Sequence, residues 1–225
     1  MEEKRKPAKP EHILQFLTTE HSTLQAARSA AVTDANGRAA VFLSSVSSGV
    51  VSLAFIGQVS GVGQAFYLFA LVLFPSLFFL GLVTFKRALQ TAMEGVIHAR
   101  GINRIRHYYT EIAPEIADYF VHSIYDDTLS TMQSMAIKHS RFQPLVTIAG
   151  TILVINSILA GVWLSLLLQF LIAPPIWLTV VAGAAVFVLA AIVHHYYQIR
   201  RWEDFEINLI SKFPTPAENS SGSLR

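Results

Sequence analysis

The densest chemistry in this 225-residue chain lies in Arg100-Gly101-Ile102-Asn103-Arg104-Ile105-Arg106-His107-Tyr108-Tyr109. Arg100 and Arg104 stand four apart, so a helix puts both on one face, with Arg106, His107, Tyr108 and Tyr109 beside them where it resumes after Gly101. Arginine forks match phosphate oxygens, and aromatic rings stack on bases or settle at a headgroup surface. Two readings stay open: a contact for an anionic small molecule or lipid headgroup, and a basic belt beside a membrane. Neither a Gly-rich phosphate loop nor an acidic ribose partner accompanies the segment.

A second pattern is built from hydroxyls. Ser44, Ser48 and Ser52 recur every four residues with Ala40 in line before them, a small-residue stripe along one side of a helix. Asn156 is the strongest polar group inside any apolar run. Such groups either hold membrane helices together or line a pore in an oligomer, and both readings stand for this face.

Other chemistry is poorly provided for. Of the eight histidines only His194 and His195 are adjacent, and neighbours on a helix diverge by about 100°. Glu94 and His98 form one carboxylate–histidine unit without the second that a diiron site in a bundle requires. The absence of cysteine excludes disulfides, thiolate metal sites and cysteine nucleophiles. No serine nucleophile elbow or His-Glu-x-x-His is present. The expectation is a non-enzymatic protein with no catalytic residues, metal or cofactor.

The elements that position these residues follow from where charge is missing. Hydrophobic residues make up 52% of the chain and charged residues 14%, and all seventeen Lys and Arg fall within 1–38, 86–141 and 200–225. Between these blocks, Ala39–Phe85 and Phe142–Val193 hold no Asp, Glu, Lys, Arg or His. A bilayer crossing takes about 20 apolar residues, so each run is long enough for two. The fold class is therefore an all-α membrane protein: four transmembrane helices as two hairpins, 39–85 and 144–199, with a helical cytosolic layer. The turns within the runs, Gln58–Gln64 and Ala173-Pro174-Pro175, are uncharged, and the positive-inside rule places both termini and the central block in the cytoplasm of an inner-membrane protein. No ionisable group falls inside the charge-free runs, which disfavours an ion-coupled carrier.

The remaining segments read as follows. Residues 1–10 form a charged, disordered tail, and 11–38 form a cytosolic helix and turn. Ile13, Phe16, Leu17, Leu24, Ala27 and Ala31 share a face of that helix, and Asp34–Arg38 makes the turn. The insert 86–143 continues the second span to Gly101, opens a new helix at Pro114 with Ile116, Tyr119, Phe120 and Ile124 on its apolar face, and breaks and caps at Asp126-Asp127-Thr128. Pro75 should kink the second span. A helix over 200–212 and a disordered tail over 213–225 complete the chain.

This order of elements resembles the SLATT-type bacterial membrane effectors: a cytosolic helix, a helical hairpin, then a helix leaving the membrane with an Arg- and Tyr-bearing segment. The resemblance covers Glu11–Tyr109, and the second hairpin departs from it. It implies an oligomer that perturbs the membrane when its cytosolic side is engaged, and it carries over no individual residue. The expected partners are the lipid bilayer, further copies of the chain and a cytosolic protein or anionic small-molecule regulator. A net charge of +2 is too small for bulk attraction to nucleic acid, which is not expected as a partner.

Overall fold

A computed structural model describes residues 9–136 and 146–216; most of the predicted N-terminal tail, the end of the insert and 217–225 lie outside the described residues. All regular structure among the described residues is helical: α1 (Pro10–Ser60), α2 (Gln64–Ile112), a 3₁₀ helix (Pro114–Tyr119), α3 (Thr128–Ser134), α4 (Ile148–Leu171) and α5 (Ile176–Ile207). Four of them, α1, α2, α4 and α5, are long and apolar enough to cross a bilayer. The fold is thus all-α with four candidate spans, compatible with a multi-pass membrane protein.

The described residues divide into two compact units. A polar unit takes 9–32, 93–136 and 208–216; an apolar unit takes 33–92 and 146–207. Both α1 and α2 contribute residues to each unit without a break in helix.

That continuity corrects the segment boundaries read from the sequence. Asp34–Arg38 is helix, not a turn: Asp34 accepts from Arg38 Nε at 2.9 Å, the i,i+4 geometry of a helix face. Gly37 inside a helix costs about 1 kcal/mol relative to Ala, less than breaking a ladder that is propagating from both sides. Likewise α2 runs on through Gly101 to Ile112. A Cβ at Gly101 would meet Leu24 Cδ1 at 2.8 Å, so this glycine marks a close approach of α1 and α2 rather than a helix end. Pro75 is accommodated within α2 without ending the helix.

Two further expectations change. Pro114 opens only a 3₁₀ helix, and its predicted apolar face is realised in part, with Ile116, Phe120 and Ile124 half-buried and Tyr119 83% exposed. The separate helix at 200–212 is instead the continuation of α5 to Ile207, after which 208–216 is non-helical. The predicted first-helix face is realised in part, with Ile13, Leu17, Leu24, Ala27 and Ala31 half-buried and Phe16 exposed.

The apolar unit is held by contacts of the kind membrane helices use, small residues that let backbones approach. Gly161 of α4 lies against the backbone of Gly183 of α5, and Ser165 donates to the Thr179 carbonyl at 2.9 Å. Gly49 of α1 receives Leu73 and Leu77 of α2. Phe42, Phe74, Phe85, Ile152 and Leu153 fill the core between them. Gly61, with φ of +68°, supplies the left-handed residue that turns α1 into α2. At the other turn Ala173 takes φ of +47°, followed by Pro174 and Pro175, which cannot continue α4.

Candidate functional site

In the polar unit, the arginine segment meets a buried aspartate. Asp126 is fully buried. Its Oδ2 accepts from Arg104 Nε at 2.6 Å and from the Lys212 amide at 3.1 Å. Its Oδ1 accepts from the Ser211 hydroxyl at 2.5 Å and the Phe213 amide at 2.8 Å. The backbone joins in, since the Asp126 amide donates to the Phe213 carbonyl at 3.0 Å and the Asp126 carbonyl accepts from Arg100 Nε at 2.6 Å. Asp127 caps α3 through the Ser130 amide and also accepts from the Thr215 amide and hydroxyl. One acidic pair therefore ties together α2, α3 and the chain after α5.

Burial on its own raises the carboxyl pKa of Asp126, but the Ser211, Lys212, Phe213 and Arg104 hydrogen bonds to the ionised form outweigh it and hold the group well below the usual carboxylate range. Asp127 is lowered in the same way, with Ser130 and Thr215 outweighing burial. Both are charged at neutral pH.

The arginine segment is thus mostly engaged within the chain. Arg100 is buried with Nε on the Asp126 carbonyl, while its Nη1 has no hydrogen-bond partner. Arg104 also donates to the Ile210 carbonyl, and Arg106 donates to Asn103 Oδ1. His107 stacks on Phe213 with ring centroids 4.2 Å apart, and Asn103 donates to the Tyr125 carbonyl at 2.9 Å. Tyr108 and Tyr109 are half-buried. Residues 213–216, expected to begin a disordered tail, are instead bound across this node. Opposite charges at Arg100, Arg104 and Asp126 were the available sequence signal for it, and a separation of more than 20 residues concealed the pairing.

In the apolar unit, Asn156 of α4 is fully buried and its Nδ2 lies 3.2 Å from His194 Nε2 of α5. His194 Nδ1 is 2.7 Å from the Ala190 carbonyl, which only accepts. That assigns the proton of the neutral ring to Nδ1 and leaves Nε2 to accept from Asn156. Phe85 packs edge-on to the imidazole at 5.2 Å. A Cβ at Gly81 would overlap the Asn156 carboxamide, so glycine is what admits this amide against α2. His194 directly follows the charge-free run, and the fold makes it the interhelical partner of Asn156.

The serine stripe goes elsewhere. Ser44, Ser48 and Ser52 are all exposed, centred about 120° round α1 from buried Phe42, Gly49 and Leu53. Ser52 donates to the Ser48 carbonyl, while the Ser44 and Ser48 hydroxyls have no partner among the described residues. Asn156 and the stripe therefore do not share a face.

Comparison of the chain with protein families, with curated proteins and with solved structures finds no match in any of the three.

Proposed function

We propose that the chain is a non-enzymatic, multi-pass inner-membrane protein with both termini cytoplasmic, which assembles with copies of itself and perturbs the bilayer when its polar unit is engaged. The observation that carries the assembly is the exposure of Ser44, Ser48 and Ser52, while Gly49, Gly81, Gly161 and Gly183 are occupied by neighbours in the same chain. Small hydroxyl residues on a membrane helix allow another helix to approach closely and hydrogen-bond across the seam. The charge-free spans and the Lys/Arg blocks outside both short turns support the placement and orientation. Both α1 and α2 contribute residues to each unit, which gives engagement of the polar unit a covalent path to the spans.

The absence of native cysteine makes the interface directly testable. Ser44→Cys, Ser48→Cys and Ser52→Cys, oxidised in native membranes, are expected to give covalent dimers. Val50→Cys, exposed but about 160° round the helix from Ser48, should remain monomeric. Equal cross-linking at Val50, or none at any of the three serines, removes this interface.

A second reading, a membrane anchor or scaffold without conductance, is favoured by an apolar cavity of about 450 Å³ on the polar unit, lined by Pro10, Leu14, Tyr109, Ile112 and Ile116. With Leu14 and Ile112 of its lining exposed, it suits an apolar side chain of a cytosolic partner. Release of a reporter ion from liposomes containing the oligomer separates the readings, because only an effector conducts.

A further inference from the structure

A groove of about 290 Å³ opens between α2 and α5, lined by Leu82, Phe85, Lys86, Val193, His194 and Tyr197. Its walls are apolar below and polar at one end. Both nitrogens of His194 are engaged, by Asn156 and by the Ala190 carbonyl, so the imidazole adds a ring wall and no free polar atom.

The charged end is defined by what neighbouring cations do. Arg87 pairs with Asp34, and Arg200 pairs with Glu203 and lies over the Tyr196 ring. Lys86 has no acidic partner among the described residues, and the Tyr197 hydroxyl no hydrogen bond. Position along the helices fixes the level: Lys86 is the first residue after one charge-free run and His194 the first after the other. Both walls therefore pass from apolar to polar at the same point, where phosphates sit in a bilayer. From Leu82 to Lys86 is only about 6 Å of helix rise, too short to seat another helix some 10 Å across but sufficient for a single chain.

We infer that this groove binds an anionic phospholipid, with the phosphate on Lys86 and the Tyr197 hydroxyl and one acyl chain against Leu82, Phe85 and Val193. The inference rests on the membrane placement proposed above and not on self-assembly. Bound there, the lipid bridges α2 and α5 at the edge of the Asn156–His194 contact.

The test uses the full chain, purified and offered equal amounts of phosphatidylglycerol and phosphatidylcholine with matched acyl chains, the retained lipid being counted by native mass spectrometry. The wild type should retain phosphatidylglycerol about fivefold over phosphatidylcholine, the discrimination one juxtamembrane cation provides. K86Q should bring that ratio close to one, L82W, which fills the groove, should reduce retention of both lipids, and R201Q, outside the lining, should leave the ratio unchanged. No preference in the wild type, a preserved preference in K86Q, or an equal loss in R201Q overturns the site. Flotation of the same protein with phosphatidylcholine vesicles reads the membrane placement separately, so a failed preference with intact flotation counts against the groove alone.

Discussion

Asp126→Ala is expected to release the segment after α5 and to destabilise the polar unit by about 1–3 kcal/mol, the cost of leaving the donors it satisfies without an acceptor. The carboxylate is the sole acceptor in these contacts for the Ser211 hydroxyl and the Lys212 and Phe213 amides, and it neutralises Arg104 beside a buried Arg100. Alanine removes all four contacts at once and leaves cationic and amide donors facing a void. Limited proteolysis should then cut near Ser211–Thr215 in the variant under conditions that leave the wild type intact. A cleavage pattern identical to wild type would show that these contacts do not hold the segment. The effect of pH has a defined sign. Because the folded-state pKa values of Asp126 and Asp127 lie below the ordinary value, their contribution is complete above about pH 4 and is lost as pH falls through the folded values. Protection of the segment should therefore be constant from neutral pH to about pH 5 and decline in stronger acid.

Glycine-to-alanine changes at two positions are expected to move stability in opposite directions. At Gly161 an added Cβ would lie 2.5 Å from the Gly183 carbonyl oxygen and 3.2 Å from Phe187 Cβ. The obstructing atom is backbone, so α4 and α5 must separate, and Gly161→Ala should cost about 1–3 kcal/mol. At Gly37 nothing lies within 4 Å of an added Cβ, and Gly37→Ala in this helix interior should gain about 0.5–1 kcal/mol. Melting of the purified protein in mild detergent should place G161A below the wild type and G37A above it. A stabilised G161A would mean that α4 and α5 do not meet through these glycines, and a destabilised G37A that α1 is not continuous there.

What the sequence revealed and what it concealed have separate physical origins. The four candidate spans were legible because charge is excluded from Ala39–Phe85 and Phe142–Val193, a one-dimensional property that needs no knowledge of contacts. The cap at Asp127 was legible because capping is local. Helix continuity is hidden where local propensity and propagation disagree: Asp34-Ala35-Asn36-Gly37 has the composition of a turn, yet it lies between two helical stretches that extend through it. The Asp126 node and the Asn156–His194 contact depend on pairings 22 to 87 residues apart, for which spacing rules of helices provide no guide. The same holds for the groove at Lys86, formed by two helices remote in sequence.

The proposed topology has the chain crossing a bilayer four times with both hairpin turns on the side opposite the Lys/Arg-rich blocks. Single cysteines at Val62 and Pro174, in the two turns, and at Glu115, in the polar unit, can be introduced into the cysteine-free chain and probed with a membrane-impermeant maleimide in sealed right-side-out vesicles. Labelling of Val62→Cys and Pro174→Cys in sealed vesicles, and of Glu115→Cys only after the vesicles are opened, is the predicted result. Labelling of Glu115→Cys in sealed vesicles to the same extent as the turns would contradict it.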